Sequence, residues 1–261
     1  MILNILITVL LLAILGLILG IFLGFVSEKF KVHIDEKELK IRECLPGNNC
    51  GGCGYPGCDG LAKAISLGEA EVDACPVGGE SVAKKIALVL GVEKQLANRK
   101  VAFVHCLGGC DKTKKVYNYF GLRDCLSIST IPNKGEKGCT YACMGYGSCV
   151  KVCKFDAIHI IEGKAFVDKE KCTGCSACVR ICPMNVIKLV DYNKKHIVAC
   201  SSKNKGVVTN KVCTVGCIAC KMCEKTCKVD GISVNDYLAT MNEKCIDCGD
   251  CALKCPRKTI T

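Results

Sequence analysis

Cysteine residues are grouped along this chain in short runs, many only two residues apart, and this grouping limits what the chain can fold into. The 261 residues include 26 cysteines, a density typical of disulfide scaffolds or of metal-binding proteins. Disulfide scaffolds are usually short secreted domains. Cysteines so close together are poorly placed to bond to one another but well placed to converge on one metal centre. We therefore expect small metal-stabilised modules instead of one large hydrophobic core.

The formal net charge of +11 does not indicate a nucleic-acid-binding protein, since that count treats every cysteine as neutral. An oxidised [4Fe–4S] core held by four thiolates carries a net charge of about −2. About five such clusters would bring the loaded protein close to neutrality. The chain has no tryptophan and no basic run interleaved with aromatic residues, so nucleic acid is not expected as a partner.

The first 26 residues are apolar almost without interruption, which is long enough for a helix to cross the hydrocarbon core of a bilayer. No lysine or arginine precedes this run, and Lys29 and Lys31 follow it. A signal peptide would begin with basic residues and end at a small-residue cleavage site. Because basic residues flank the cytoplasmic end of a membrane helix, we expect a single-pass anchor in the inner membrane. The cysteine-rich part of the chain would then lie on the cytoplasmic side.

The first cysteine group lies in the glycine-rich segment 45–58. Glycine lets the backbone wrap closely around a cluster and point N–H groups at its sulfur atoms. Residues 59–67 are predicted to form a short helix before the fourth cysteine. Four thiolates would also suit zinc, but the glycine density and the other cysteine groups favour a [4Fe–4S] cluster. Its predicted ligands are Cys50, Cys53, Cys58 and Cys75.

The clearest motif is C-x2-C-x2-C-x3-C-P, the run typical of bacterial ferredoxins, and it occurs twice. Each copy follows another cysteine group at an interval that fits a β-hairpin, over residues 158–167 in the first case and 231–241 in the second. We therefore predict two tandem ferredoxin domains with two clusters each. The two runs are Cys172, Cys175, Cys178 and Cys182, and Cys245, Cys248, Cys251 and Cys255; the upstream groups are Cys139, Cys143, Cys149 and Cys153, and Cys217, Cys220, Cys223 and Cys227.

In two-cluster ferredoxins the fourth cysteine of each run binds the other cluster. Lys154 and Lys228 stand where the upstream groups would usually have proline, which removes a rigid turn but no ligand. The spacing between Cys139 and Cys149 is looser than in the other groups. The rule predicts four ligand sets: Cys139, Cys143, Cys149 and Cys182; Cys172, Cys175, Cys178 and Cys153; Cys217, Cys220, Cys223 and Cys255; and Cys245, Cys248, Cys251 and Cys227.

Six cysteines lie outside these groups. Residues 101–104 are predicted to form a strand and residues 112–120 a helix, with two of the six cysteines between them. Cys106, Cys110 and Cys125 would bind a sixth cluster if one of two later cysteines came near, and the alternative is that they remain unligated thiols. The six are Cys44, Cys106, Cys110 and Cys125, with Cys200 and Cys213 as the candidates for the fourth ligand.

Catalytic motifs are absent from the sequence. It contains no general acid–base pair, nucleophile constellation, phosphate-binding loop or Rossmann fingerprint. We therefore expect no catalytic residues and no cofactor ligands beyond the cluster cysteines. The protein would move electrons without carrying out NAD⁺ chemistry, and nucleotide, flavin and ion sites would lie on other subunits.

The combination of one membrane helix, the segment L-P-G-N-N-C-G-G-C-G-Y-P-G-C and paired ferredoxin runs resembles the B subunit of the Rnf complex, in the longer form seen in anaerobic bacteria. The resemblance covers essentially the whole chain. It implies a membrane-bound ferredoxin:NAD⁺ oxidoreductase, a translocase coupled to Na⁺ or H⁺ transport. In it, this subunit would take electrons from reduced soluble ferredoxin and pass them to membrane and flavin-bearing subunits.

Two other functions fit the cysteine pattern. One is a ferredoxin-like subunit of another membrane redox complex, such as a hydrogenase or dehydrogenase. The other is an iron–sulfur redox sensor, although no output domain is recognisable. The predicted fold is one N-terminal transmembrane helix followed by small α+β iron–sulfur modules. The expected divisions are a transmembrane helix at 1–26, a 4Fe–4S domain at 27–92, a small α/β connecting module at 93–132, ferredoxin domains at 133–192 and 213–261, and a linker at 193–212.

Overall fold

The computed structural model describes residues 2–29, 35–92 and 99–261, and it begins with helix α1 (Ile2–Lys29). The stretch Ile5–Val26 contains 22 residues with a mean hydropathy of 3.1. At about 1.5 Å per residue this stretch matches the thickness of the hydrocarbon core of a bilayer. Its large apolar side chains are exposed along the helix. The predicted helix is therefore present, and it is long and apolar enough to cross a membrane.

The next unit is built on helices α2 (Glu36–Cys44), α3 (Gly57–Ser66) and α4 (Gly79–Leu90). Helix α2 begins at Asp35, whose side chain accepts a hydrogen bond from a first-turn N–H, as an N-cap aspartate does. Helix α3 forms where a helix is predicted after the first cysteine loop and begins two residues earlier. The three helices pack around one small hydrophobic cluster, whose fully buried side chains are Ile41, Leu61, Ile65 and Ile86.

A mixed unit follows and contains two antiparallel strand pairs. The hairpin predicted over residues 158–167 is present, and Glu162 and Gly163 take positive φ angles of 50° and 70° in its turn, as a two-residue hairpin loop requires. A 3₁₀ turn covers Pro132–Lys134. In chain order the elements are β1 (Lys100–Val104), α5 (Cys125–Ser129), α6 (Ser148–Lys151), β2 (Ile158–Ile161), β3 (Lys164–Val167), α7 (Ala177–Ile181) and β4 (Ile187–Asp191).

Strand β1 pairs antiparallel with β4, with Lys100 opposite Asp191 and Val104 opposite Ile187. The predicted strand at 101–104 is confirmed, and this pairing attaches the connecting segment to the end of the first ferredoxin-like segment. The helix predicted near residues 112–120 is wrong. Its backbone groups bond to distant segments instead, since Thr113 forms a bridge with Cys213 and Lys115 forms one with Lys137.

The C-terminal unit contains helices α8 (Gly206–Val212), α9 (Met222–Thr226) and α10 (Asp250–Lys254), with a hairpin of β5 (Ile232–Asn235) and β6 (Leu238–Met241) between α9 and α10. Helices α9 and α10 pack against each other, as α6 and α7 do in the mixed unit. The segment expected to be a linker carries α8 and also returns to the end of the chain, where Val198 forms a bridge with Ile260.

Lys137 is a buried cation that holds three loops of the mixed unit together. Its side chain is 7% exposed, and its Nζ donates hydrogen bonds to the carbonyl oxygens of Gly108, Cys143 and Gly163 at 2.7, 2.8 and 2.8 Å. Those carbonyls belong to the loop after β1, the irregular cysteine segment and the β2–β3 turn. One ammonium group therefore satisfies three acceptors that are far apart in sequence.

We predict that Lys137→Met lowers the thermal midpoint of the anaerobic protein by roughly 5 to 10 °C, because it leaves buried carbonyl groups without a donor. Circular dichroism during heating measures the midpoint. Lys134→Met is the matched control, since Lys134 is exposed three residues away. Equal midpoints for both variants would contradict the structural role of Lys137.

Candidate metal centres

Five helices carry a buried cysteine at their second residue, and each of these helices follows a loop that holds other cysteines. In four of them the residue before the helix adopts a left-handed conformation. That conformation reverses the chain, so the first helical turn faces back onto the cysteine loop. The five cysteines are Cys58 in α3, Cys149 in α6, Cys178 in α7, Cys223 in α9 and Cys251 in α10.

One predicted quartet in the C-terminal unit surrounds a cavity with an empty volume of about 380 Å³. Burial, followed by the charges of the other three cysteines, raises the pKa of the Cys223 thiol to about 11. The backbone N–H of Thr259 donates to Cys255 Sγ at 3.4 Å. The four cysteines that line the cavity are Cys217, Cys220, Cys223 and Cys255.

A second predicted set lies in the mixed unit. The pKa of Cys178 is raised to about 12, mainly by burial and then by the charges of Cys172, Cys175 and Cys153. Cys172 Sγ accepts a hydrogen bond at 3.3 Å from the backbone N–H of Ala102 in β1. The structure therefore brings the fourth cysteine of the upstream group to the three cysteines of the downstream run.

The last ferredoxin-type run lies beside the C-terminal hydrophobic cluster. Burial raises the pKa of Cys251, and the charges of Cys245 and Cys248 raise it further. Cys227 packs against the same cluster as Cys251, and its Sγ accepts a hydrogen bond at 3.2 Å from the N–H of Gly231.

The first predicted set comes from the glycine-rich loop after α2, the start of α3 and the segment between α3 and α4. Burial raises the pKa of Cys75, and the neighbouring charges include Cys53 and Cys58. Cys75 Sγ accepts a hydrogen bond at 3.3 Å from the N–H of Gly78. Cys50 lies in the same loop, three residues before Cys53.

The irregular group differs from its predicted arrangement. The pKa of Cys149 is raised to about 12, mainly by burial and then by the charges of Cys143, Cys125 and Cys182. These four cysteines line one cavity of about 350 Å³. The structure brings Cys125 to this set in the place where Cys139 is predicted.

Cys139 belongs to another part of the mixed unit, because the chain turns between it and Cys143. The charges that raise its pKa after burial include those of Cys106 and Cys213, and Cys143 donates its backbone N–H to Cys106 Sγ at 3.3 Å. The looser spacing lets the two cysteines of one group face different cavities.

The structure separates Cys106, Cys110 and Cys125, the three residues considered above either as ligands of a sixth cluster or as unligated thiols. Cys106 lines one cavity, Cys125 lines another, and Cys110 is exposed. Sequence reasoning missed Cys125 as a partner of Cys149. No local motif marks it, since 23 residues separate them, although the unequal spacings after Cys139 indicate a departure from the regular run.

Asp124 and Ser148 hold Cys125 beside Cys149. Asp124 caps α5 by accepting hydrogen bonds from the N–H groups of Leu126 and Ser127. Ser148, the residue before Cys149, donates its hydroxyl to Asp124 at 2.7 Å and accepts the N–H of Cys125 at 3.0 Å. The hydrogen bond from Ser148, followed by that from Ser127, lowers the pKa of Asp124, so the carboxylate accepts these bonds at neutral pH.

The chemistry of these sites fits a [4Fe–4S] cluster. Soft thiolate donors select zinc, copper(I) or iron–sulfur centres. Across residues 2–29, 35–92 and 99–261, no three His, Cys, Asp or Glu side chains form a group that could hold one metal ion. Two groups of four thiols line cavities of about 380 and 350 Å³, and backbone N–H groups point at several of the cysteine sulfur atoms.

Two family models match parts of the chain. A model described as "Putative Fe-S cluster" matches residues 45–77, which contain the first cysteine set. A model of the 4Fe-4S binding domain matches residues 165–188, which contain the first ferredoxin-type run. These matches support [4Fe–4S] clusters as the cofactors.

Curated relatives match nearly the whole chain. The B subunit of an ion-translocating oxidoreductase complex from Methanosarcina acetivorans is 43% identical over 90% of this chain and 89% of its own length. The B subunit of the Na⁺-translocating ferredoxin:NAD⁺ oxidoreductase complex of Acetobacterium woodii is 44% identical over 89% of this chain and 70% of its own. The proton-translocating counterpart from Clostridium ljungdahlii is 35% identical over 90% and 84%. The chain therefore belongs to the family of B subunits of ion-translocating oxidoreductase complexes, the Rnf complexes, and is an electron-transfer subunit of that type.

Proposed function

We propose that this protein is the membrane-anchored subunit that accepts electrons from reduced ferredoxin and delivers them to membrane and flavin-bearing subunits of an Na⁺- or H⁺-translocating ferredoxin:NAD⁺ oxidoreductase. The observation that carries the proposal is that cysteine sets recur in each unit after the N-terminal helix, with the first set lying directly against the mixed unit at Gly52 and Cys175. When bound, a [4Fe–4S] cluster at each set takes up and releases one electron without bond rearrangement. The protein buries at least one cysteine of each set, while Cys220 and Cys248 remain exposed.

We assign five ligand sets, four of which follow the spacing rule while the fifth exchanges Cys139 for Cys125. The two cavities and the mutual influence of the thiols on their pKa values support the assignment. The repeated order of helix, hairpin and helix in two units supports two tandem ferredoxin domains. The sets are Cys50, Cys53, Cys58 and Cys75; Cys172, Cys175, Cys178 and Cys153; Cys125, Cys143, Cys149 and Cys182; Cys217, Cys220, Cys223 and Cys255; and Cys245, Cys248, Cys251 and Cys227.

The first cysteine loop lies directly against the mixed unit. A Cβ atom placed on Gly52 would come within 3.1 Å of the Cβ and carbonyl oxygen of Cys175, so the two ligand loops touch without an intervening side chain. Within the mixed unit, the charge of Cys178 is among the causes that raise the pKa of Cys149. These contacts support a continuous order of sets from the anchor side of the chain into the ferredoxin-type units.

The N-terminal helix supports anchoring through one membrane span. Lys29 ends α1 and Lys31 follows it in the sequence, and by the positive-inside tendency this supports a cytoplasmic location for the cysteine units. The side chains of the apolar stretch are not buried by the rest of the protein, so they are suited to contact with lipid.

We predict that deleting residues 1–26 releases a brown protein into the soluble fraction with its iron content unchanged. The physical reason is that the deletion removes the apolar span and leaves the ligand cysteines in place. Membrane fractionation with iron analysis measures both quantities. A reporter fused after Thr261 in the full chain should be active only in the cytoplasm, and a truncated chain that stays with the membrane would contradict a single anchor.

We predict that Cys255→Ser damages the cluster of Cys217, Cys220 and Cys223 and largely spares that of Cys245, Cys248 and Cys251, whose proposed fourth ligand is Cys227. Because the C-terminal unit is farthest along the chain from the anchor, we propose it as the docking region for soluble ferredoxin. The variant should then be reduced more slowly by ferredoxin, while dithionite still reduces the Cys50–Cys75 cluster.

Electron paramagnetic resonance of samples frozen after mixing with reduced ferredoxin measures these effects, and Cys44→Ser is the control because Cys44 belongs to none of the five sets. Normal filling of the Cys50–Cys75 cluster from ferredoxin in the Cys255→Ser variant would contradict the proposed order. Failure of ferredoxin to reduce the unmodified protein would contradict the proposed function itself.

We predict that Asp124→Ala and Ser148→Ala each accelerate iron release from one cluster, about four iron atoms per chain, because both remove the link that holds Cys125 beside Cys149. Anaerobic transfer of iron to a coloured chelator measures the rate. Ser129→Ala is the matched control, since the Ser129 hydroxyl donates to Leu126 within the same helix and does not contact this link. Identical release curves for all three variants would contradict the positioning role.

A further inference from the structure

Four cysteines outside the five sets line a further cavity between the mixed and C-terminal units. We propose that Cys106, Cys139, Cys200 and Cys213 bind a sixth [4Fe–4S] cluster, at a site that the spacing of the cysteine runs does not predict. They come from four separate segments: the loop after β1, the start of the irregular group, the segment before α8 and the residue that ends α8. Their grouping exists only in the folded chain.

The size of the cavity matches those of the other sets. Its empty volume is about 340 Å³, against about 350 Å³ for the set that contains Cys149 and about 380 Å³ for the regular ferredoxin set that contains Cys223. Each of the three cavities is lined by four cysteines. The proposed site therefore resembles the regular ferredoxin set in both the size of its cavity and the number of cysteines that line it.

Glycines leave room for the cavity on two sides. A Cβ atom on Gly108 would lie 2.5 Å from Thr113 Oγ1, 3.5 Å from Cys106 Sγ and 3.8 Å from Cys213 Sγ. A Cβ atom on Gly216 would lie 2.6 Å from a methyl carbon of Thr209 and 3.5 Å from Cys213 Sγ. The backbone at Gly108 and at Gly216 therefore lies close to the sulfur atoms, and a side chain at either position would collide with a neighbouring threonine.

Hydrogen-bond donors point at the sulfur atoms of this quartet. Cys200 Sγ accepts from the N–H groups of Ser202 and Cys217, both at 3.4 Å, and Cys106 Sγ accepts from Cys143. Bonds of this kind favour a thiolate over a neutral thiol and tune cluster potential. The hydroxyl of Thr113, which lines the cavity and is buried, has no hydrogen-bond partner among the described residues, so it is available to donate to a cluster sulfide.

The quartet touches a ligand set on each side. Cys143 of the mixed-unit set donates its N–H to Cys106, and Cys217 of the C-terminal set donates its N–H to Cys200. The bound group would take one electron from a neighbouring set and give one to the other, ending in its original state. This linking role rests on the proposed function, whereas the metal site itself does not.

Iron and acid-labile sulfide counts on the full-length, anaerobically purified protein test the site. We expect roughly 24 of each per chain, where five clusters would give roughly 20. Cys200→Ala and Cys213→Ala should each lose about four iron atoms, and the double variant should also lose about four, because both ligands serve one cluster. A count near 20 in the unmodified protein, or stoichiometric zinc in place of the missing iron, would overturn the proposal.

A second comparison separates this arrangement from the spacing rule. Cys139→Ala with Cys125→Ala should lose about eight iron atoms if the two cysteines serve different clusters, and Cys139→Ala with Cys149→Ala should do the same. The spacing rule, which places Cys139 and Cys149 on one cluster, requires a loss of about four from the latter pair. Cys110→Ala is the matched control, because Cys110 is exposed and close to Cys106 in the chain, and its iron count should be unchanged.

The linking role has its own measurement. In Cys200→Ala, freeze-quenched paramagnetic resonance after mixing with reduced ferredoxin should show one ferredoxin unit reduced and the other delayed at least tenfold. If a variant that has lost four iron atoms still transfers electrons at the unchanged rate, the linking role is refuted, while the proposed metal site still holds. If reduced ferredoxin fails to reduce an unmodified protein that holds 24 iron atoms, the proposed function is refuted, while the proposed metal site still holds.

Discussion

Buried thiols gathered around cavities are the constraint on which the rest of this structure depends. Burial and mutual repulsion raise the pKa of Cys149, Cys178 and Cys200 to about 12, so without a cation these groups stay protonated. The hydrophobic clusters are small and include cysteines among their own members. Iron that binds the thiolates therefore contributes folding free energy that the apolar cores are too small to supply.

The sequence predicts what local spacing determines. The hairpins at 158–167 and 231–241, the helix after Cys58 and the strand before Cys106 are encoded within a few residues and are present. One error concerns a segment whose partners are remote, since residues 112–120 pair with segments around residues 137 and 212 instead of forming a helix. The ligands of the irregular group stay a prediction, and the position of Cys125 beside Cys149 depends on where α5 is held. Neither arrangement can be inferred from the local periodicity of the sequence, because the residues that make the contact lie far apart along the chain.

The contacts between neighbouring cysteine sets follow one order through the units. Gly52 meets Cys175, Cys178 influences Cys149, and the N–H groups of Cys143 and Cys217 point at sulfur atoms of the proposed sixth site. Without that site, the mixed and C-terminal sets would be separated by a cavity lined with four unused cysteines. With it, each set has a neighbour, which is what transfer of single electrons between weakly coupled centres requires.

The irregular cysteine group explains how one chain segment serves two sets. A regular run holds three cysteines at two-residue intervals and presents them to one cluster. Here the longer intervals around Cys143 let the backbone turn, so that Cys139 faces one cavity and Cys149 the other. Lys137 holds that segment in place by donating a hydrogen bond to the carbonyl of Cys143. On the proposed assignment, the departures from the ferredoxin spacing let one cysteine group contribute ligands to two cluster sites.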